Sequence, residues 1–193
     1  MTLIDGRPGI QAAWDEVSAR TGVNIDSVAA VRQLGPPLAV EAERWFPPEQ
    51  VPAVVELFRS IYAQTALVGT VALPGAAQAL SAVREHGGRI LVVTAKLARF
   101  AREQLTHFGL HVDLVAGEVF GVAKGEVLRS NGASIYVGDH VADIEASRAG
   151  ACISVGVPTG SFSAEQLRSA GADVVVDNLV AFAEWLRGRS MVL

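Results

Sequence analysis

Hydrophobic positions recur at helical spacing through the first third of the chain. Between residues 7 and 71 they return every three or four positions, as Ile10, Trp14 and Val17 do at the start of this stretch. No run that is typical of a strand interrupts the pattern. The sequence therefore predicts a small helical bundle over residues 7–71.

Capping and breaking residues mark helix boundaries inside this stretch. Asp26 precedes an apolar segment and is expected to cap a helix over residues 28–34, because aspartate is favoured at the N-cap. Gly35 and the two prolines after it are expected to end that helix. Pro47 and Pro48 are expected to open a longer helix, since proline is tolerated in a first turn.

From Leu73 onward, short apolar runs alternate with helical patterns. Continuous apolar runs bounded by turn residues indicate buried strands, here over 89–93, 114–115, 134–137, 152–155 and 174–176. Helices are predicted over 76–86, 97–108, 125–130, 142–149, 164–170 and 179–187. Such alternation predicts an α/β fold, in which a parallel sheet is covered by helices on both faces.

Composition and charge narrow the class of protein. The chain has 193 residues, of which 50% are hydrophobic and 19% are charged, as in globular proteins. Its formal net charge of -4 offers no basic field to hold nucleic acid or an anionic membrane. Cys152 is the single cysteine, so no internal disulfide can form. Without a signal-peptide pattern or a long apolar run, we expect a cytoplasmic protein with no membrane partner.

Two carboxylates follow the predicted strand 134–137. Gly138 and Asp139 end the strand, and Asp143 comes four residues later at the start of a helix. Ligands of open α/β sheets collect at the carboxyl ends of strands, and two carboxylates there suit Mg²⁺. The competing interpretation is that both residues cap the next helix.

A hydroxyl and an ammonium group stand at two other strand ends. Thr94 ends the strand 89–93, where its side chain and the following N–H groups could hold a phosphate oxygen. Lys124, on a predicted loop after the next strand, could neutralise charge on a transferring phosphoryl group. Taken alone, Thr94 is more typical of a helix cap and Lys124 of an exposed surface.

The order of these residues is more specific than any one of them. The series resembles motifs two, three and four of the haloacid dehalogenase-like (HAD) superfamily. Thr94 after a strand corresponds to motif two, Lys124 on a loop to motif three, and Asp139 with Asp143 after a strand to motif four. Residues 156–173 resemble the C-terminal segment of that family, and the nearest subgroup is the phosphoglycolate phosphatase-like one. The resemblance implies a Rossmann-like core with a helical cap, and a phosphatase that acts on a small phosphorylated metabolite as a monomer or homodimer.

The same resemblance assigns roles to the candidate residues. Asp139 would bind Mg²⁺, with Asp143 in direct or water-mediated support. Lys124 would pair with the phosphate and with the nucleophilic carboxylate. The phosphoryl group would be held by one side chain and two backbone N–H groups, namely the Thr94 hydroxyl and the amides of Ala95 and Lys96.

The first motif of the family, Asp-x-Asp-Gly-Thr-Leu, is represented here by its tail. Thr2, Leu3 and Asp5 match that tail, and Met1 stands where glycine is usual. The domain boundaries that follow are 1–6 for the remnant of the first strand and loop, 7–71 for the cap and 72–193 for the core. The two carboxylates, nucleophile and general acid/base, would lie before Met1.

Two explanations fit this beginning. Either the protein starts upstream, or the chain is truly shortened and inactive or weak. We expect the first, because losing a central strand would remove several buried side chains at about 1.5–3 kcal/mol each. That loss is comparable with the whole stability of a domain, about 5–15 kcal/mol.

Three other functions compete with a phosphatase. A 2-haloacid dehalogenase uses no metal, and the acidic pair Asp139/Asp143 argues against it because such charges need a cation. A phosphosugar mutase shares the four motifs and stays open. A non-catalytic homologue with a binding or regulatory role also stays open, since it would need no nucleophile.

Overall fold

The computed structural model describes residues 1–32 and 34–189. Position 33 of the predicted helix 28–34 and positions 190–193 of the predicted core lie outside the described residues. The chain divides into two compact units, Met1–Ile4 with Ala72–Leu193, and Asp5–Val71. Two short strands, β1 (Ile4–Asp5) and β2 (Val71–Ala72), pair with each other where the chain passes from one unit to the other.

The Asp5–Val71 unit is built from helices. They are α1 (Arg7–Thr21), α2 (Ser27–Arg32), α3 (Leu38–Ala42) and α4 (Val51–Thr65). Trp14 on α1 is buried against Phe58 on α4, with ring centroids 4.7 Å apart. The predicted cap is confirmed, since Asp26 Oδ1 accepts a hydrogen bond of 2.8 Å from the Ala29 N–H.

Helix limits in this unit differ from the sequence prediction in three places. The longer helix begins at Val51, with its proline in the first turn at Pro52, so the prediction that Pro47 and Pro48 open it was wrong. The described part of α2 ends at Arg32, and Leu34, which was predicted to be helical, is not. Helix α3 and the two-residue strand β2 were not predicted, because elements this short show no periodicity.

The other unit alternates strands and helices, as predicted. After β2 come α5 (Ala76–Glu85), β3 (Leu91–Val93), α6 (Ala98–His107), β4 (Leu114–Ala116), α7 (Ala123–Ser130), β5 (Ile135–Gly138), α8 (Val141–Gly150), β6 (Ile153–Gly156), α9 (Ala164–Ser169), β7 (Val174–Val175) and α10 (Leu179–Arg187). Strands β3 and β4 pair in parallel, and β5, β6 and β7 form a second parallel ladder. The predicted α/β fold with parallel sheets is confirmed.

Helices bury their apolar faces against these ladders. Leu128, Ile144, Leu167, Leu179 and Leu186 are each at most 2% exposed, and they come from four of the helices just named. Each such side chain contributes about 1.5–3 kcal/mol by leaving water. The ends of β3 and β5 are thereby fixed in place. Within residues 1–32 and 34–189, no helix is long and apolar enough to cross a membrane.

Candidate active site

Asp139 directly follows β5 and is buried, with 7% of its surface exposed. Its Oδ1 accepts a hydrogen bond of 2.9 Å from the Thr2 hydroxyl and contacts the α-ammonium of Met1. The backbone of Gly160 passes close to the other oxygen, because a Cβ at that position would lie 1.9 Å from Asp139 Oδ2. The carboxylate is therefore held at the carboxyl end of β5 by both loop and N-terminal residues.

Asp143 lies on the first turn of α8 and is engaged through both carboxylate oxygens. Its Oδ1 accepts a hydrogen bond of 2.7 Å from Lys124 Nζ, and its Oδ2 accepts one of 3.2 Å from the His140 N–H. The side chains of Asp143 and Lys124 are 7% and 12% exposed. The capping interpretation is thus confirmed for Asp143, but the same carboxylate also forms a buried ion pair.

Lys124 lies on a helix and not on the predicted loop. It is the second residue of α7, which begins two residues earlier than the sequence pattern indicated. Gly125 lets α7 approach α8 closely, because a Cβ there would lie 2.6 Å from Ala149 Cβ. This close packing brings Lys124 Nζ to Asp143, so the alternative of an exposed surface lysine was wrong.

Tyr136 belongs to the site although no sequence motif singles it out. It is buried on β5, and its hydroxyl lies 3.3 Å from Asp143 Oδ1 and 3.4 Å from the Val93 carbonyl oxygen. Burial, and then the charge of Asp143, raise the pKa of the phenol well above its ordinary value. A tyrosine in a buried strand just before two carboxylates was the available signal, because a buried hydroxyl needs a partner.

Thr94 begins a tight turn after β3. Its N–H donates to the Ala116 carbonyl at 2.9 Å, and its carbonyl accepts the Val119 N–H at 2.9 Å. Its hydroxyl accepts the Lys96 N–H at 3.1 Å. The N-cap of α6 is Leu97, which makes no side-chain cap bond, so the interpretation of Thr94 as a helix cap was wrong.

Lys96 is fixed by backbone and side chain together. Its carbonyl accepts the Glu118 N–H at 2.8 Å, and its Nζ donates to Gln104 Oε1 at 2.6 Å. Because its N–H already donates to Thr94, the predicted use of that amide for phosphate would require exchanging this bond. The amide of Ala95 donates to no acceptor within residues 1–32 and 34–189.

The predicted site residues thus form two groups joined by one tyrosine. Lys124 and Asp143 are in direct contact, and Asp139 ends the strand that carries Tyr136. The Tyr136 hydroxyl joins this group to the Val93 carbonyl, directly before Thr94. The Thr94 turn and the acidic group therefore meet at the ends of β3 and β5.

The donor chemistry suits a hard cation in part. Asp139 is a buried carboxylate whose recorded ionic partner is an ammonium group, and buried carboxylates need a positive partner. Carboxylate oxygens are the ligands that Mg²⁺ prefers. Within the described residues, however, no group of three or more acidic, histidine or cysteine side chains could hold a metal ion. Asp139 and Asp143 fit Mg²⁺ as part of a ligand set.

The family model for haloacid dehalogenase-like hydrolases matches residues 1–148. The chain belongs to this family. That match contains every candidate residue of the site, from Thr94 to Asp143. Membership confirms the resemblance drawn from the ordered motifs, and the family together with its phosphatase relatives makes this chain a phosphatase by resemblance.

Curated relatives of this HAD chain are phosphatases of small molecules by name. A phosphoglycolate phosphatase of Pectobacterium atrosepticum is 29% identical over 197 residues, covering 91% of this chain and 84% of that protein. A 5'-nucleotidase of Pseudomonas aeruginosa is 31% identical over 185 residues, covering 83% of this chain and 80% of that protein. The first of these names supports the phosphoglycolate phosphatase-like subgroup.

Solved structures confirm the fold. A predicted phosphatase of Clostridium acetobutylicum superposes with a TM-score of 0.81 at 21% identity, over 95% of this chain and 93% of that one. A predicted phosphoglycolate phosphatase of Haemophilus somnus superposes with a TM-score of 0.82 at 16% identity, over 95% and 92%. At such identities the likeness concerns the fold of this HAD hydrolase and not its substrate.

Proposed function

We propose that this chain provides the binding and charge-stabilising groups of a Mg²⁺-dependent phosphatase that hydrolyses small phosphorylated metabolites. The observation that carries the proposal is the buried contact between Lys124 Nζ and Asp143 Oδ1 at 2.7 Å. These two groups come from different helices, and burying both charges is costly unless they are paired. Apolar side chains in place of such a pair are often as stable or more so, which favours a functional role for these two charges.

Asp139 and Asp143 would hold Mg²⁺, Asp139 directly and Asp143 directly or through water. When bound, Mg²⁺ neutralises negative charge on the phosphoryl group that is transferred. Asp143 also positions Lys124, so the ammonium is presented beside the cation position and not in solvent. Lys124 would pair with a phosphate oxygen and oppose the charge that develops during transfer.

The turn after β3 would hold the phosphoryl oxygens. The Ala95 N–H donates to no acceptor within the described residues, and the Thr94 hydroxyl can donate while it accepts the Lys96 N–H. Backbone bonds of Thr94 and Lys96 to residues 116–119 fix the turn before substrate arrives. Such a preformed set of donors lowers the cost of ordering in the transition state.

The phosphoryl acceptor in this proposal is the first aspartate of the family's Asp-x-Asp motif. Its carboxylate attacks phosphorus, the phosphorus–oxygen bond to the alcohol breaks, and the second aspartate protonates the leaving oxygen. Water then gives a proton to the second aspartate and cleaves the aspartyl phosphate, which releases phosphate and restores the first carboxylate. The helices of residues 7–71 would act as the cap that excludes water and selects the substrate.

Activity assays test the proposal in two forms of the protein. The 193-residue chain and a form extended upstream in frame are assayed with an aryl phosphate and Mg²⁺. We expect the extended form to be active and to lose at least about a hundredfold with Asp139→Asn or Lys124→Met. The matched control is Asp177→Asn, which removes the charge of an exposed aspartate after β7. Full activity of the Asp139→Asn form, or inactivity of the extended form toward every phosphoester, would show that the proposal is wrong.

A further inference from the structure

Three aromatic rings stand beside the acidic group. His140 lies between two phenylalanines, with ring centroids 4.5 Å from Phe162 and 6.1 Å from Phe120, in edge-to-face arrangement in both cases. All three residues are half-buried. We call Phe120, His140 and Phe162 the aromatic rim.

The rim is tied to the site by short stretches of chain. His140 directly follows Asp139, and Phe162 comes two residues after Gly160, whose backbone abuts the Asp139 carboxylate. Phe120 comes four residues before Lys124. The rings therefore border the same strand ends as the groups that the proposed function assigns to cation and phosphate.

The central ring of the rim cannot turn away easily. His140 is the N-cap of α8, and its Nδ1 accepts the Ala142 N–H at 3.0 Å. That bond places the proton of the neutral ring on Nε2. Phe162 packs against this fixed ring, so the rim is preformed. A preformed aromatic surface lowers the entropic cost of binding a flat ligand.

The aromatic rim would distinguish phosphomonoesters by the chemistry of their alcohol part. A flat aromatic group gains edge-to-face or stacked contacts with Phe and His. A carboxylate in the same position would lose its hydration against ring surface, which is unfavourable without a charged partner. The rim thus favours an alcohol that carries an aromatic ring over a short anionic one such as glycolate.

We infer that the aromatic rim is a specificity-determining subsite that binds an aromatic ring in the alcohol part of the substrate. The inference rests on the proposed function, because it takes the strand ends as the phosphate site. It goes beyond that function by naming the substrate class, aromatic phosphomonoesters. Phe162 and Phe120 are its principal contacts, and His140 holds them in place.

Binding of phosphonates tests this without any turnover. The 193-residue chain is titrated with phenylphosphonate, methylphosphonate and inorganic phosphate in the presence of Mg²⁺. We expect phenylphosphonate to bind about three- to tenfold more tightly than methylphosphonate. Phe162→Leu and Phe120→Leu, which keep apolar volume but lose the ring, should remove most of this advantage and leave methylphosphonate binding within twofold. Phe162→Tyr should retain it.

A second phenylalanine–histidine pair supplies the control. Phe108 lies 4.8 Å from His107 in the same edge-to-face arrangement, but at the far end of α6 from the Thr94 turn. Phe108→Leu should not change the ratio between the two phosphonates. Equal binding of both phosphonates, or equal loss of both in Phe162→Leu, would overturn the inference and leave the proposed function standing. If neither phosphonate nor phosphate binds, the proposed function fails as well.

Discussion

The two strand ends that form the site are held by different kinds of bond. The turn after β3 is fixed mainly by backbone groups, since Thr94 and Lys96 bond to the main chain of residues 116–119. The junction of β5 and α8 is fixed by side chains, with Asp143 accepting from Lys124, Tyr136 and His140. Most side-chain changes should therefore spare the turn and disrupt the junction.

The turn after β3 and the junction of β5 and α8 therefore offer different groups to a ligand. A turn held by its backbone presents N–H groups, which no substitution other than one to proline removes. A junction held by a buried ion pair presents charges whose position depends on every partner. The turn after β3 should thus be robust to side-chain changes, and the junction of β5 and α8 should be sensitive to them.

Asp143→Ala should give the largest effect. It leaves the ammonium of Lys124 buried without its partner, and removing one member of a buried pair costs about 3–5 kcal/mol. Urea unfolding at pH 7 measures the change in the free energy of unfolding. The double variant Asp143→Leu with Lys124→Met should recover most of the loss, because it buries no charge. A loss below about 1 kcal/mol in Asp143→Ala would mean that the pair is effectively solvated.

Gly138→Ala should give the next largest effect, by displacing the same carboxylate without removing it. A Cβ at position 138 would lie 2.3 Å from Asp143 Cβ, so strand and helix must move apart. Overpacking of this kind costs about 1–3 kcal/mol. Gly188→Ala is the matched control, because its Cβ would meet atoms at 3.6 Å or more. Equal thermal stability of the two variants would contradict the close approach seen at β5.

The sequence predicted the order of the strands and helices better than their local geometry. Short continuous apolar runs identified β3 to β7, and apolar residues at helical spacing identified most helices. The position of Lys124 on α7 was missed, since the glycines and alanine around it blur the start of the helix. The role of Tyr136 depends on its distance to Asp143 and Val93, which is a property of the folded chain.

The contacts between side chains could likewise not be predicted from the sequence. The spacing of Asp139 and Asp143 was visible, but not that Asp143 binds Lys124, because that contact depends on how closely α7 packs on α8 at Gly125. The aromatic rim was missed for the same reason. Its three members are separated by about twenty residues each along the chain, and only His140 lies within a recognised motif, between Asp139 and Asp143.

Thr94→Val tests the turn after β3 with a smaller expected effect. It keeps the shape of the side chain but removes the oxygen that accepts the Lys96 N–H, while the backbone bonds at Thr94 remain. The expected loss is about 0.5–1.5 kcal/mol in the free energy of unfolding. Thr94→Ser keeps the hydroxyl and should restore stability. A loss as large as that of Asp143→Ala would contradict a turn that is held by its backbone.

Asp173→Asn should give the smallest loss in the free energy of unfolding. It tests whether the sensitivity of Asp143 to substitution comes from its burial or from its side-chain hydrogen bonds. Asp173 is exposed, and its Oδ2 accepts from the Ser154 hydroxyl at 2.6 Å and the Ser154 N–H at 2.8 Å. These bonds, the hydroxyl first, hold the pKa of Asp173 below its ordinary value of 3.8.

A carboxyl group whose pKa is lower in the folded state stabilises the fold at pH values above its unfolded-state pKa. This stabilisation is lost as the pH falls through its folded-state pKa. The difference in free energy of unfolding between wild type and Asp173→Asn should therefore be full at pH 7 and shrink below about pH 4. Asp177→Asn, an exposed aspartate four residues on, controls for net charge. Because solvent screens the charge of Asp173, Asp173→Asn should lower the free energy of unfolding far less than Asp143→Ala does. Comparable losses would mean that bonding by side chains, and not burial, sets the sensitivity of the β5–α8 junction.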